Sequence, residues 1–211
     1  MAEEIVLGDG RMKTSLPWLD IAFFASGFAA LLYQIVWQRV LFAVVGINIE
    51  SVTVVVSAFL MGLGLGSVIG GAISRDPRRQ PLFAFAVIEL AMGAFGSVSV
   101  PLFRSAGDRL LEFSPGVTAA ATFVLVVAPT LLLGSTLPLL VASRVRQSGN
   151  VGQSVGMLYC VNTLGSAAAA LLSAVVLLGM LGLSGPSWLA AFLNIGVGLT
   201  ALELARREAR R

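Results

Sequence analysis

Long apolar runs separated by short polar breaks dominate the chain. Six runs, at roughly 18–45, 51–73, 81–103, 116–143, 151–179 and 187–204, reach the length of about 20 residues that a helix needs to cross a hydrocarbon core of about 30 Å. The breaks at 46–50, 74–80, 104–115, 144–150 and 180–186 are polar or turn-like. The last is the least marked, because Gly179, Gly182, Gly185 and Pro186 are its only punctuation. The pattern predicts an all-α polytopic membrane protein built as a bundle of six transmembrane helices. It comprises an N-terminal cytoplasmic segment over 1–16, a membrane domain over 17–204 and a basic cytoplasmic tail over 205–211. The first run is too long for the core of a signal peptide and reads as a retained spanning helix.

Composition supports this reading. Apolar residues make up 57% of the 211 and charged residues 12%, against about 25% charged in an average soluble domain. So few charges cannot cover a water-soluble fold of this size. The net charge of +3 points to topology rather than to nucleic acid, because the basic residues cluster between the apolar runs. With both termini inside, Arg11, Lys13, Arg75, Arg78, Arg79, Arg144, Arg146, Arg206, Arg207, Arg210 and Arg211 all fall on the cytoplasmic side. Arg39, Arg104 and Arg109 fall outside. This is the positive-inside pattern expected of a polytopic membrane protein with both termini in the cytoplasm. Trp18 and Trp188 mark opposite edges of the bilayer, and Trp37 lies near the outer end of the first helix. The single cysteine, Cys160, sits in an apolar stretch and reads as a buried, inert thiol.

Packing signals are plain. Gly62, Gly66 and Gly70 form a stripe down one face of the second helix, of the kind that lets a neighbour approach closely. The same stretch, GLGLGSVIGG, is no phosphate loop, since Ser67 stands where the third glycine belongs and no strand precedes it. Pro129 and Pro138 predict a bend in the fourth helix, with Thr130, Ser135 and Thr136 placed to satisfy the freed carbonyls.

Polar residues at membrane depth are the candidate site. At about 1.5 Å of rise per residue, Glu89 lies about 12 Å deep, Asn162 about 16 Å and Asn194 about 10 Å. A buried carboxylate with amide neighbours can bind a cation, carry a proton, or simply hydrogen-bond a neighbouring helix. Gln34 and Gln38 share a face of the first helix one turn apart, and either line a polar path or join helices. An Arg39–Glu50 ion pair is expected to close the first outer hairpin. No histidine, cysteine pair or nucleophile with a base is present, so no catalytic group, cofactor or metal is expected.

The stretches SGFAALLYQIVWQRVL (26–41), AFLMGLGLGSVIGG (58–71), PTLLLGSTLPLL (129–140) and GQSVGMLYCVNTLGSAAAALLSAVVLL (152–178) together resemble the membrane domain of bacterial fused major-facilitator/spermidine-synthase-like proteins. The resemblance covers about 26–199. It implies a half-major-facilitator-like bundle, often followed by a cytoplasmic aminopropyltransferase-like domain that has no counterpart in these residues. The loop Ser74-Arg75-Asp76-Pro77-Arg78-Arg79 is similar to the major-facilitator signature after the second helix, with Ser74 in place of its aspartate and Pro77 in place of its glycine. Two functions stay open. One is a half-transporter, completed by a second copy or a partner, that moves a small organic cation such as a polyamine past Glu89, Asn162, Asn194, Gln34 and Gln38. The other is a non-catalytic membrane anchor or scaffold for a separate spermidine-synthase-like enzyme or larger complex.

Overall fold

A computed structural model describes residues 15–45, 49–76, 79–110 and 112–210. The described residues form six helices long and apolar enough to cross a membrane. They are α1 (Ser15–Val45), α2 (Ile49–Arg75), α3 (Pro81–Leu110), α4 (Pro115–Ser148), α5 (Val151–Leu181) and α6 (Ser184–Ala209). All-α architecture and the number of spans follow the hydropathy pattern. The helices overrun it at their ends, because polar residues that no longer suit hydrocarbon still suit a helix. Arg104 and Arg109, expected in a loop, lie within α3, and Arg144, also expected in a loop, lies within α4. The break between the last two spans shrinks to Gly182 and Leu183. Gly182 has φ +63°, a conformation that side chains rarely adopt, and it alone allows so tight a reversal.

The α4–α5 connection is equally short. Gly149, at φ 68°, caps α4 by donating its N–H to the Val145 carbonyl. Asn150 then caps α5, its Oδ1 accepting from the Gln153 N–H at 3.0 Å. One turn of α5, Ser173–Leu177, is wound as a π-helix.

Three helix pairs carry the most extensive packing: α2 with α4, α3 with α6 and α1 with α5. Contacts of α1 with α6 and of α3 with α4 come next. Exchanging α1 with α4, α2 with α5 and α3 with α6 maps this set onto itself. Each exchanged helix is three crossings away and so runs in the opposite direction.

Backbones meet closely in all three pairs. The stripe Gly62, Gly66 and Gly70 faces α4: a Cβ there would run into Thr130, the Leu131 carbonyl and Ser135 respectively. Gly134 answers from α4, against Leu63. Gly165 of α5 lies on the Phe24 carbonyl of α1, and Gly27 of α1 lies on Asn162. Gly93 and Gly198 serve α3–α6, against Ala191 and Ile195 and against Leu90. Gly64 and Gly71 have open space instead.

Two expectations need correction. Cys160 is exposed, because it lies on the outward side of α5, the least buried of the spans. Trp37, near the outer end of α1, is fully buried, stacked on Tyr33 at 5.1 Å and packed against Phe95 and Phe103. Pro129 and Pro138 stand within one continuous helix. Their freed carbonyls belong to Leu125 and Gly134, four residues back. The neighbouring hydroxyls bond elsewhere: Thr130 to Val126 and Val127, Ser135 to Leu132 and Thr136 to Leu133. A hydroxyl on a helix reaches the carbonyl three or four residues behind itself, which here is never the one the proline released.

Replacing Gly66 by leucine will separate α2 from α4. The expected loss is about 1–3 kcal/mol, as for overpacked interiors, read as a lower unfolding midpoint in detergent. Gly64→Ala, in open space, will leave the midpoint unchanged or raise it.

Candidate functional site

The site begins with one face of α1. Ser26, Tyr33 and Trp37 recur at spacings of seven and four, so they line up along the helix. All three reach α3. Ser26 Oγ donates to Glu89 Oε1 at 2.6 Å. Tyr33 lies over Gly96, where no side chain would fit beside its ring, and its hydroxyl donates to the Met92 carbonyl at 3.4 Å. Trp37 Nε1 donates to Ser99 Oγ at 2.9 Å. Ser187 of α6 joins this last rung, 3.2 Å from Ser99 Oγ and donating to the Gly96 carbonyl at 2.8 Å. The rungs climb both helices in the same order, so α1 and α3 are parallel.

Glu89 is the rung nearest the arginine-rich end. It is 0% exposed. Only one of its oxygens is engaged, since Oε2 has no hydrogen-bond partner. Asn194 of α6 is 1% exposed, and neither amide atom has a partner. The register of α3 on α6, with Gly93 against Ile195 and Leu90 against Gly198, puts Asn194 about 7.5 Å from the level of Glu89 along the bundle. A buried carboxylate oxygen and a buried amide, both lacking partners in a low-dielectric interior, are costly to maintain for packing alone. An ammonium group would supply the donors that a carboxylate accepts.

Asn162 is at the same level but serves another contact. Its Nδ2 donates to the Phe23 carbonyl of α1 at 3.3 Å, and Ser166, one turn on, donates to the Gly27 carbonyl at 3.1 Å. These bonds pin α5 to α1 on a face turned away from Ser26. The expected meeting of Glu89, Asn162 and Asn194 is not seen: Asn162 spends its amide on α1, and neither Glu89 Oε2 nor the Asn194 amide bonds the other. Gln34 and Gln38 are half-buried on α1. Gln38 lines, with Arg39, an open cleft of about 730 Å³ at the far end of α1. The Arg39–Glu50 pair involves a side chain outside the described residues.

One arrangement was missed in the sequence. Arg144 Nη1 of α4 makes a close ion pair with Asp20 Oδ1 of α1, the two side chains retaining 10% and 19% exposure. Asp20 precedes Ser26 by six residues, so the pair lies about 9 Å from that rung toward the arginine-rich end. The rule that an ionisable group within a span needs a reason applies to Asp20 as it did to Glu89. Its closeness to the edge of the run hid it. At the same end Arg146 of α4 donates to the Arg79 carbonyl at 3.2 Å, and Arg79 pairs with Asp76 at 3.4 Å.

Three curated proteins are similar to this chain at low identity. Two polyamine aminopropyltransferases of Ralstonia nicotianae are 25% identical over 190 residues, which cover 90% of this chain but only 36% and 35% of theirs. A polyamine aminopropyltransferase of Streptomyces coelicolor is 25% identical over 150 residues, 70% of this chain and 26% of its own. The chain thus spans about a third or less of the relatives it matches. No family model and no solved structure matches it.

Removing either member of the Asp20–Arg144 pair, as Asp20→Asn or Arg144→Gln, will lower stability by about 1–3 kcal/mol. That is below the usual cost of splitting a fully buried pair, because both groups keep some solvent. The double variant will lose less than the sum of the singles, measured by unfolding in detergent as a double-mutant cycle.

Proposed function

We propose that the bundle takes up a small organic cation, such as a polyamine, at Glu89 and acts as half of a transporter. The observation that carries this reading is the Glu89 carboxylate: fully buried, with a single bond to Ser26 and its second oxygen unengaged. The internal exchange of α1–α3 with α4–α6 in the packing supports it, since inverted repeats with a site near the middle of the membrane are a recurrent transporter design. The similarity to polyamine enzymes suggests the cation. Six helices would need a second copy or a partner to enclose a path. The crowding of arginines at one end favours an orientation with that end and both termini in the cytoplasm.

A second reading is a membrane anchor or scaffold for a separate spermidine-synthase-like enzyme. What favours it is that the similarity runs along 90% of this chain yet only about a third of the Ralstonia enzymes. On this reading Glu89 only joins α1 to α3.

Glu89→Gln separates the two. The amide still accepts from Ser26 but cannot neutralise an ammonium group. Uptake of labelled putrescine into proteoliposomes will fall at least about tenfold if a charge pair of about 1.4 kcal/mol is lost, with the native mass of the assembly unchanged. Uptake that is absent in the parent, with the parent retaining a soluble enzyme partner, would favour the scaffold.

A further inference from the structure

The cleft beside Arg39 lies well away from Glu89 and has a different character. Ile35, Gln38, Arg39, Phe42 and Ala43 form one wall, at spacings that place them on one face of α1. Leu178, Gly182 and Leu183, from the end of α5 and the turn after it, form the other. The volume of about 730 Å³ falls within the range of ligand sites, about 300–1,000 Å³. Two backbone irregularities shape this wall. The π-helical turn Ser173–Leu177 ends immediately before Leu178, and Gly182, at φ +63°, carries no side chain into the cleft. Such π-turns recur at functional sites.

Charge decides what the cleft can take. Arg39 is exposed, and among the described residues no acidic one lines the cleft with it. The ion pairs formed by Arg144, Arg79 and Arg207 have carboxylate partners in Asp20, Asp76 and Glu203, and Arg39 takes part in none of them. It also stands at the arginine-poor end of the bundle, with Arg104 and Arg109. A guanidinium there departs from the charge asymmetry of the rest of the chain. The guanidinium fork matches a phosphate in geometry and sign. The apolar walls match hydrocarbon.

We propose that the cleft between the far end of α1 and the α5–α6 turn binds an anionic phospholipid of the surrounding leaflet, its phosphate on Arg39 and Gln38 and the upper part of its chains along Ile35, Phe42 and Leu178. The occupant is a lipid rather than a soluble anion because the walls that flank the charge are apolar.

Native mass spectrometry of the purified protein tests this, with dioleoyl phosphatidylglycerol and dioleoyl phosphatidylcholine as probes that share their chains. The expected result is retention of phosphatidylglycerol over phosphatidylcholine, a preference that Arg39→Gln reduces about tenfold. Ala43→Phe, which fills the cleft and keeps the charge, will reduce binding of phosphatidylglycerol as well, and decides the matter if Arg39→Gln does not fold. Equal retention of the two lipids by the parent would overturn the proposal. So would a preference that survives both substitutions, which would move the site to the arginine-rich end. A dimer that either substitution splits would give the cleft to a second copy and likewise overturn it.

Discussion

Backbone lying on backbone is the contact on which this bundle depends. Lipid offers helices no hydrophobic incentive to associate, so they gain from close van der Waals approach and from hydrogen bonds between them. Gly66 and Gly134 provide the approach for α2–α4, Gly27 and Gly165 for α1–α5, and Gly93 and Gly198 for α3–α6. Each pair places a glycine on both partners. Once those distances are set, the side chains of α1 are brought within reach of α3. The ladder of Ser26, Tyr33 and Trp37 then fixes the level at which Glu89 sits.

Hydrogen bonding divides the polar residues of the interior into two kinds. Trp37, Ser99, Ser187, Asn162 and Ser166 spend their polar atoms on neighbouring helices. Their bonds join α1 to α3 and α5, and α3 to α6. Glu89 and Asn194 keep atoms in reserve although they are among the most buried polar side chains. Thr122 of α4 shares that property, but carries no charge. The contrast, rather than burial alone, sets Glu89 apart, as the one ionisable group among these three. Asp20 and Arg144 close the arginine-rich end between α1 and α4, helices that otherwise make few contacts with one another.

The spans were legible because their signal is a sum over some twenty residues, which local exceptions cannot cancel. The glycine stripe was legible for a similar reason, its period of four repeating down one helix. Depth along a helix follows from counting, and it placed Glu89, Asn162 and Asn194 at comparable levels. Rotation about the helix axis does not follow from counting when both faces are apolar. That is why Asn162 proved to face α1 and why Cys160 proved to face outward. Trp37 lies near the end of its run, and its indole meets a hydroxyl inside the bundle. Asp20 and Arg144 are 124 positions apart, and only the fold brings them together.

The central claim is that the Glu89 carboxyl is the group that meets the cation. Infrared difference spectroscopy of the protein in lipid, recorded on adding putrescine, tests it at the atom concerned. The account predicts a carboxyl difference band that appears with putrescine, is absent in Glu89→Gln and persists in Asp20→Asn. A spectrum without a carboxyl band, or one unchanged by Glu89→Gln, would contradict it.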